Sequence, residues 1–190
     1  CLGVTHNLWR LERLVLNDLY QLTDRSFHFD REGDGRPAVD AHMLEAITEL
    51  DITDCNRITD FGLASISARC TRLTKLCVSG VTRLTERGAE LLAREPINGE
   101  ARGDKLEILN LTFCQLLGDK AIGLFAPGLG NLAHINLTGC TKVSDEGIKM
   151  LTECCPCIQI LNISHCRLVT DRAMFLVSQE FWVEGLDISY

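Results

Sequence analysis

Aromatic residues are scarce in this chain: Phe, Tyr and Trp together make up 6% of its 190 residues. The interior must therefore be built from aliphatic side chains. Positive charge is also in short supply, with 19 Lys and Arg against 26 Asp and Glu and a formal net charge of −7. That balance argues against the basic footprint of a nucleic-acid binder and the polybasic patch of a membrane-surface protein. No apolar run approaches the roughly 18 residues that a membrane-spanning helix needs. Sequences that mark common catalytic sites are missing too: there is no G-x-x-x-x-G-K-[ST], no H-E-x-x-H and no G-x-S-x-G. An enzyme is not expected, and no cofactor or metal is implied. Cysteine, by contrast, is abundant, with ten residues. They sit in a chain that is 46% hydrophobic and 24% charged, the ordinary composition of a folded protein.

Many of the cysteines fall on a periodic frame. Leu106-x-x-Leu109-x-Leu111-x-x-Cys114, Leu132-x-x-Ile135-x-Leu137-x-x-Cys140 and Ile158-x-x-Leu161-x-Ile163-x-x-Cys166 lie 26 residues apart. Ile47-x-x-Leu50-x-Ile52-x-x-Cys55 has the same form upstream. Leu73, Leu76 and Val78 repeat it with Val81 at the cysteine position, and Leu11, Leu14 and Leu16 with Leu19 there. Val183, Leu186 and Ile188 begin a further copy. Each unit then continues with an aliphatic, a hydroxyl or small residue and an acid: Leu22-Thr23-Asp24, Ile58-Thr59-Asp60, Leu84-Thr85-Glu86, Leu117-Gly118-Asp119, Val143-Ser144-Asp145 and Val169-Thr170-Asp171. A hydroxyl or acid ahead of an apolar i, i+3 pair is a helix start, because its oxygen accepts orphan backbone N–H groups. The pairs are Leu63 and Ile66, Ala89 and Leu92, Ile122 and Phe125, Ile148 and Leu151, and Met174 and Val177. Each unit thus reads as a short strand, a turn and a returning helix.

The pattern L-x-x-L-x-L-x-x-C-x-x-[IV]-[TS]-D-x-[GA]-[LI] resembles that of cysteine-containing leucine-rich repeats, as found in F-box proteins and related scaffold proteins. The resemblance covers about residues 7 to 190 and implies an α/β leucine-rich-repeat solenoid, with a parallel sheet on the concave side and helices on the convex side. Residues 1–190 read as a single solenoid segment of about six repeats plus a partial seventh, part of a longer repeat protein, its ends covered by further repeats or neighbouring subunits. Elementary energetics agree. One unit offers only about six aliphatics at roughly 1.5–3 kcal/mol each, while ordering its backbone costs about 1–2 kcal/mol per residue. A unit is stable only when stacked on others.

Two intervals break the period. Leu14 to Leu50 is 36 residues and Leu76 to Leu109 is 33. The excesses, in the 28–43 and 95–105 stretches, are rich in Gly and charge and read as loops on one edge of the solenoid, either binding elements or tolerated excursions. Asp30 stands where the first helix needs an apolar residue.

Cys55, Cys114, Cys140 and Cys166 share the phase that points into the core, and Cys70 and Cys155 share another near the helix end. Free thiols at packing positions point to a reducing, intracellular compartment such as the cytoplasm, nucleus or cilium. A zinc site assembled from Cys154, Cys155, Cys157, His165 and Cys166 conflicts with phase, since Cys166 should face the core and His165 the concave surface. Cys77 is expected to lie exposed on the concave sheet as a surface thiol, with His134 as the nearest histidine that could activate it. The sequons at Asn110, Asn136 and Asn162 recur only because the repeat does, and Arg102-Gly103-Asp104 carries little information.

The concave surface is the candidate binding face. Its central row contains Asp51, Asn110, Asn136 and Asn162, and a row three residues on contains Asp54, Phe113, His165 and Tyr190. Rings at Phe113, His165 and Tyr190 are candidate protein-binding anchors, and the acidic group of Asp18, Glu49, Asp51 and Asp54 suits a basic partner. The family resemblance implies a protein–protein interaction module like the substrate-recognition repeats of F-box proteins in ubiquitin ligases. The other expectation is a structural subunit of a large intracellular assembly such as the ciliary axoneme.

Overall fold

Strand and helix alternate along the chain as the repeat predicts. A computed structural model describes residues 11–27, 41–93, 105–180 and 184–189. Strands β1 (Arg13–Val15), β2 (Glu49–Asp51), β3 (Lys75–Cys77), β4 (Ile108–Asn110), β5 (His134–Asn136), β6 (Ile160–Asn162) and β7 (Gly185–Asp187) form one parallel sheet in sequence order. The register keeps the repeat in phase, pairing Leu50 with Leu76, Leu76 with Leu109, Leu109 with Ile135 and Ile135 with Leu161. In each interior strand the central residue is buried and the next aliphatic, such as Ile52, Leu111 or Leu137, turns inward after it. The result is an α/β solenoid of the leucine-rich-repeat type.

Helices α1 (Ala41–Ala46), α2 (Asp60–Arg69), α3 (Glu86–Ala93), α4 (Asp119–Phe125), α5 (Asp145–Cys154) and α6 (Asp171–Glu180) return the chain. From α2 onward each begins one residue after the expected start residue. The hydroxyls of Thr59, Thr85, Ser144 and Thr170 accept from the N–H groups of Phe61, Arg87, Glu146 and Arg172 at 3.2–3.3 Å, which satisfies donors that the helix leaves free. All the expected helix pairs are buried except Met174, which is half-buried against the core.

The first unit departs from the pattern. Its start signal at Thr23-Asp24 yields only a single 3₁₀ turn, Asp24–Ser26, followed by the buried Phe27. Helix α1 instead begins at Ala41, inside the stretch read from sequence as the 28–43 loop, and brings Leu44 and then Ile47 into the core. Leu44 and Ile47 thus complete the core of the first unit from further along the chain. The rest of that loop, nearly all of the 95–105 loop with its Arg102-Gly103-Asp104, and Cys1, Asp30 and Tyr190 lie outside the described residues.

Two side-chain rows fasten each unit to its neighbour. The first is carboxylate. Asp60 accepts from the N–H of Thr85 at 2.8 Å and from its hydroxyl at 2.5 Å. Asp24 does the same with Thr59 and adds the Gly62 N–H at 3.0 Å. Asp119 accepts from both groups of Ser144 and from the Gly147 N–H at 3.1 Å, and Asp145 accepts from Thr170. A Cβ on Gly62 or Gly147 would stand only 2.5 Å from the carboxylate oxygen, so glycine makes room for the lock. The second row is thiol. Cys55, Cys114, Cys140 and Cys166 donate to the carbonyls of Leu16, Val78, Leu111 and Leu137 at 3.0–3.3 Å, each a residue of the preceding unit.

The carboxylate row is broken once. Glu86 stands at the aspartate position and Gly118 at the hydroxyl position opposite it, so neither half of the lock exists, and Glu86 pairs with Lys120 instead. Serine at Gly118 would not repair the seam directly, because its Cβ would meet the Lys142 carbonyl oxygen at 2.9 Å.

Burial raises the pKa of the ladder thiols and of Cys155. Desolvation pushes Cys114 and Cys155 up to about 12 and Cys166 to about 11, and it raises Cys140 as well. Since the thiolate is the reacting species, iodoacetamide at neutral pH is expected, among the described cysteines, to modify the exposed Cys157 first and the half-buried Cys154 next. Peptide mass spectrometry of timed aliquots checks this; early modification of Cys114 or Cys140 would contradict the packing described.

Candidate protein-interaction face

The concave surface is built from rows of side chains on adjacent strands, spaced about 4.8 Å apart. The central row runs Val15, Asp51, Cys77, Asn110, Asn136, Asn162 and Asp187. The structure therefore brings the candidates Asp51, Asn110, Asn136 and Asn162 into one line. Their first task is local. The side-chain oxygens of Asp51, Asn110, Asn136 and Asn162 accept from the backbone N–H of the residue two further on, Thr53, Thr112, Thr138 and Ser164, at 2.9–3.1 Å. These are Asx turns, which bend the chain off the end of each strand. Lateral bonds join units: the Thr138 hydroxyl donates to Asn162 at 2.7 Å, and the Asn162 amide donates to Asp187 at 3.1 Å. The sequon asparagines are thus members of the turn framework.

Asp187 ends the row. Hydrogen bonds from the Ser189 hydroxyl and N–H, with one from the Asn162 amide, hold its carboxyl down at about 2. The Ser164 hydroxyl makes no hydrogen bond within 3.5 Å, yet it lies near enough to Asp187 to contribute to that shift.

Cys77 corrects an expectation. It lies in the central row, as its phase requires, but it is only 8% exposed. A short side chain between Asp51 and Asn110 on the paired strands sinks between longer neighbours. Burial and then the charge of Asp51 raise its pKa, the reverse of what an activated nucleophile needs. His134 lies two strands away, on the opposite side of the core-facing position.

The row that contains Asp54, Phe113 and His165 has a backbone property not expected from sequence. Asp18, Asp54, Phe113 and His165 all have φ between 58° and 60°, and Gly80 and Gly139 share the region at 69° and 71°. This is the left-handed corner where each Asx turn hands the chain to the core-facing cysteine phase. Glycine is at ease there and a bulky residue is strained by about 1–2 kcal/mol. The corner side chains lean toward the following unit: a Cβ on Gly80 would collide with the Asp54 carboxylate, and one on Gly139 would collide with the Phe113 ring. Phe113 thus lies across Gly139 while remaining 49% exposed. His165 is exposed and Cys166 buried, so the two cannot converge on one metal ion. Tyr190 falls outside the described residues.

A further row precedes the core leucine, and of its members only Glu49 was among the sequence candidates for binding. It begins with Arg13, Glu49 and Lys75, where Glu49 pairs with both cations at 3.5 and 4.0 Å. It then changes to Ile108, His134 and Ile160. Ile160 is 41% exposed, and Gly185 beside it has no side chain to cover it. The switch from ion pairs to apolar residues is visible once the repeats are aligned on their strands.

The acidic lock has a pH signature. Burial by itself would raise the Asp145 carboxyl, but the hydroxyl and N–H of Thr170, aided by the Ala173 N–H and the Arg172 charge, outweigh it and hold the pKa below the usual range. A lowered native pKa contributes stability above the unfolded value of about 3.9, and that stability is lost as pH falls through the native value. Asp145→Asn is therefore expected to be less stable than the parent at pH 7, with the difference shrinking below about pH 4. Thermal melts across that range check it; a constant difference would contradict the lock.

Comparison with known proteins agrees with the repeat. Four stretches match the family model described as Leucine Rich repeat: residues 47–67, 105–126, 131–151 and 154–177, together just under half of the chain. Among solved structures, the chain is similar to that titled "Crystal structure of Rad7 and Elc1 complex in yeast", with a TM-score of 0.65 and 19% identity over 78% of this chain. It spans 38% of the length of that matched chain. No curated protein matches the chain. Among the described residues no helix is long and apolar enough to cross a membrane.

Proposed function

We propose that this chain is a protein-recognition module that binds a partner on its concave face. The observation that carries this reading is the ring of Phe113, kept half exposed at a backbone angle that disfavours it, on a face whose other polar groups are largely bonded to one another. Strain retained at an exposed aromatic is more readily explained by binding than by folding, since asparagine or glycine would serve the turn better. Ile108 and Ile160 extend the apolar area on the same face.

The finer reading is substrate recognition within a ubiquitin ligase. Its support is the cysteine-bearing repeat pattern, which resembles that of F-box proteins. The fold similarity to Rad7, whose structure was determined in complex with Elc1, is in keeping with a chain that works inside a protein assembly. The other reading is a scaffold repeat of a large intracellular assembly, such as the ciliary axoneme. Affinity capture followed by quantitative mass spectrometry separates them. Ligase subunits together with short-lived proteins that accumulate on proteasome inhibition support the first. A fixed set of structural proteins, unchanged by the inhibitor, supports the second.

A further inference from the structure

We infer that the corner row along the rim of the concave face takes an extended protein segment carrying basic residues at one end and aliphatic residues about three positions away; this rests on the protein-recognition reading above. The corner row reads, unit by unit, Asp18, Asp54, Gly80, Phe113, Gly139 and His165. Its first two members sit on adjacent units, and among the described residues their carboxylates make no hydrogen bond and no ion pair. Nearby cations are already engaged: Arg13 and Lys75 with Glu49, and Arg57 with the Gln21 side-chain oxygen at 3.1 Å. Asp18, Asp51 and Asp54 together raise the pKa of the Cys55 thiol, after the larger effect of its burial, so their charges act on one place. A pair of open carboxylates beside a wall of bonded groups attracts a cation.

Two strands along from Asp54, the same rim turns apolar. Phe113 is 49% exposed and Leu116, in the same turn, 42%. Neighbouring strands are about 4.8 Å apart, so Asp54 and Phe113 are separated by roughly 10 Å, which an extended chain covers in about three residues. The unit between them presents Cys77 in the central row and Gly80 at the corner, neither of which carries a charge that would repel either end. A segment with acidic residues would meet like charge at Asp18 and Asp54, and a nucleic acid would bring phosphates to the same place.

The test uses fluorescence anisotropy with the intact chain and a labelled six-residue peptide bearing arginine and lysine, then serine and glycine, then two leucines. A matched peptide with two glutamates in place of the basic pair is the control. The basic peptide is expected to bind at least ten times more tightly than the acidic one at low salt. Asp18→Asn combined with Asp54→Asn should abolish that preference; asparagine tolerates the left-handed corner, so the fold is kept. Phe113→Asn should weaken the basic peptide at least fivefold with the melting temperature unchanged or raised. Equal binding of the two peptides, no binding of the basic one, or a preference that survives the double substitution would overturn the inference. The recognition reading stands or falls separately, on whether natural partners captured by the chain are lost when a charge is placed at Ile160.

Discussion

Asp119→Ala is expected to destabilise the protein by about 3 kcal/mol, whereas Glu86→Ala, at the same phase of the repeat, is expected to change it by less than about 1 kcal/mol. Asp119 accepts from the Ser144 N–H, the Ser144 hydroxyl and the Gly147 N–H, all at the start of the next helix. Hydrogen bonds to a charged acceptor contribute about 1.5–3 kcal/mol each when formed, and half-buried donors left without a partner add to the loss. The value is set below the sum of three such bonds because Asp119 and Ser144 are only partly buried and the freed groups regain water. Glu86 has no such partners and makes an ion pair with Lys120, both side chains well exposed, and exposed pairs contribute little. Chemical denaturation of the two variants measures the contrast. Equal losses would show that the carboxylate row does not join the units.

Phe125→Ala is expected to cost about 3–5 kcal/mol. Phe125 is wholly buried at the end of α4, where Ala126, Leu129 and Leu132 close the unit around it. In a chain with so few aromatics, Phe27 and Phe125 are the largest fully buried side chains among the described residues. A solenoid core is one unit wide, so a cavity there loosens contacts with the units on both sides. Differential scanning calorimetry should show one cooperative transition shifted down by many degrees. A loss below about 1 kcal/mol would mean that the surrounding aliphatics had collapsed into the space.

The repeat made the fold legible because each unit carries its full instructions locally. Leu106, Leu109, Leu111 and Cys114 specify strand, turn and inward face within nine residues, and their copies must stack in register. The first unit was less legible. Its start signal at Thr23-Asp24 is correct, but the continuation depends on Leu44 and Ile47, which arrive after an insertion that the period cannot place. The register aligns Asp51, Asn110, Asn136 and Asn162 as their common phase implies, yet two properties of the face were not legible. Cys77 was expected to be exposed because phase gives direction and not depth, and depth here depends on the neighbouring Asp51 and Asn110. The left-handed corner at Phe113 was hidden because the Asx turns that create it come from Asn and Thr residues two apart, a pairing that also reads as a plain polar ladder. Gly80 and Gly139 at the same phase were the signal that could have revealed it.

In the proposed function, recognition belongs to the concave face and the helices are its support. The most direct measurement compares two single substitutions in one affinity-capture experiment, with partners quantified against the parent chain. Ile160 is 41% exposed on the concave row, and Phe175 is 64% exposed on α6. Ile160→Arg is predicted to lose the captured partners at an unchanged melting temperature, while Phe175→Arg keeps them. Retention by Ile160→Arg with loss by Phe175→Arg would contradict the account and move the binding surface to the helices.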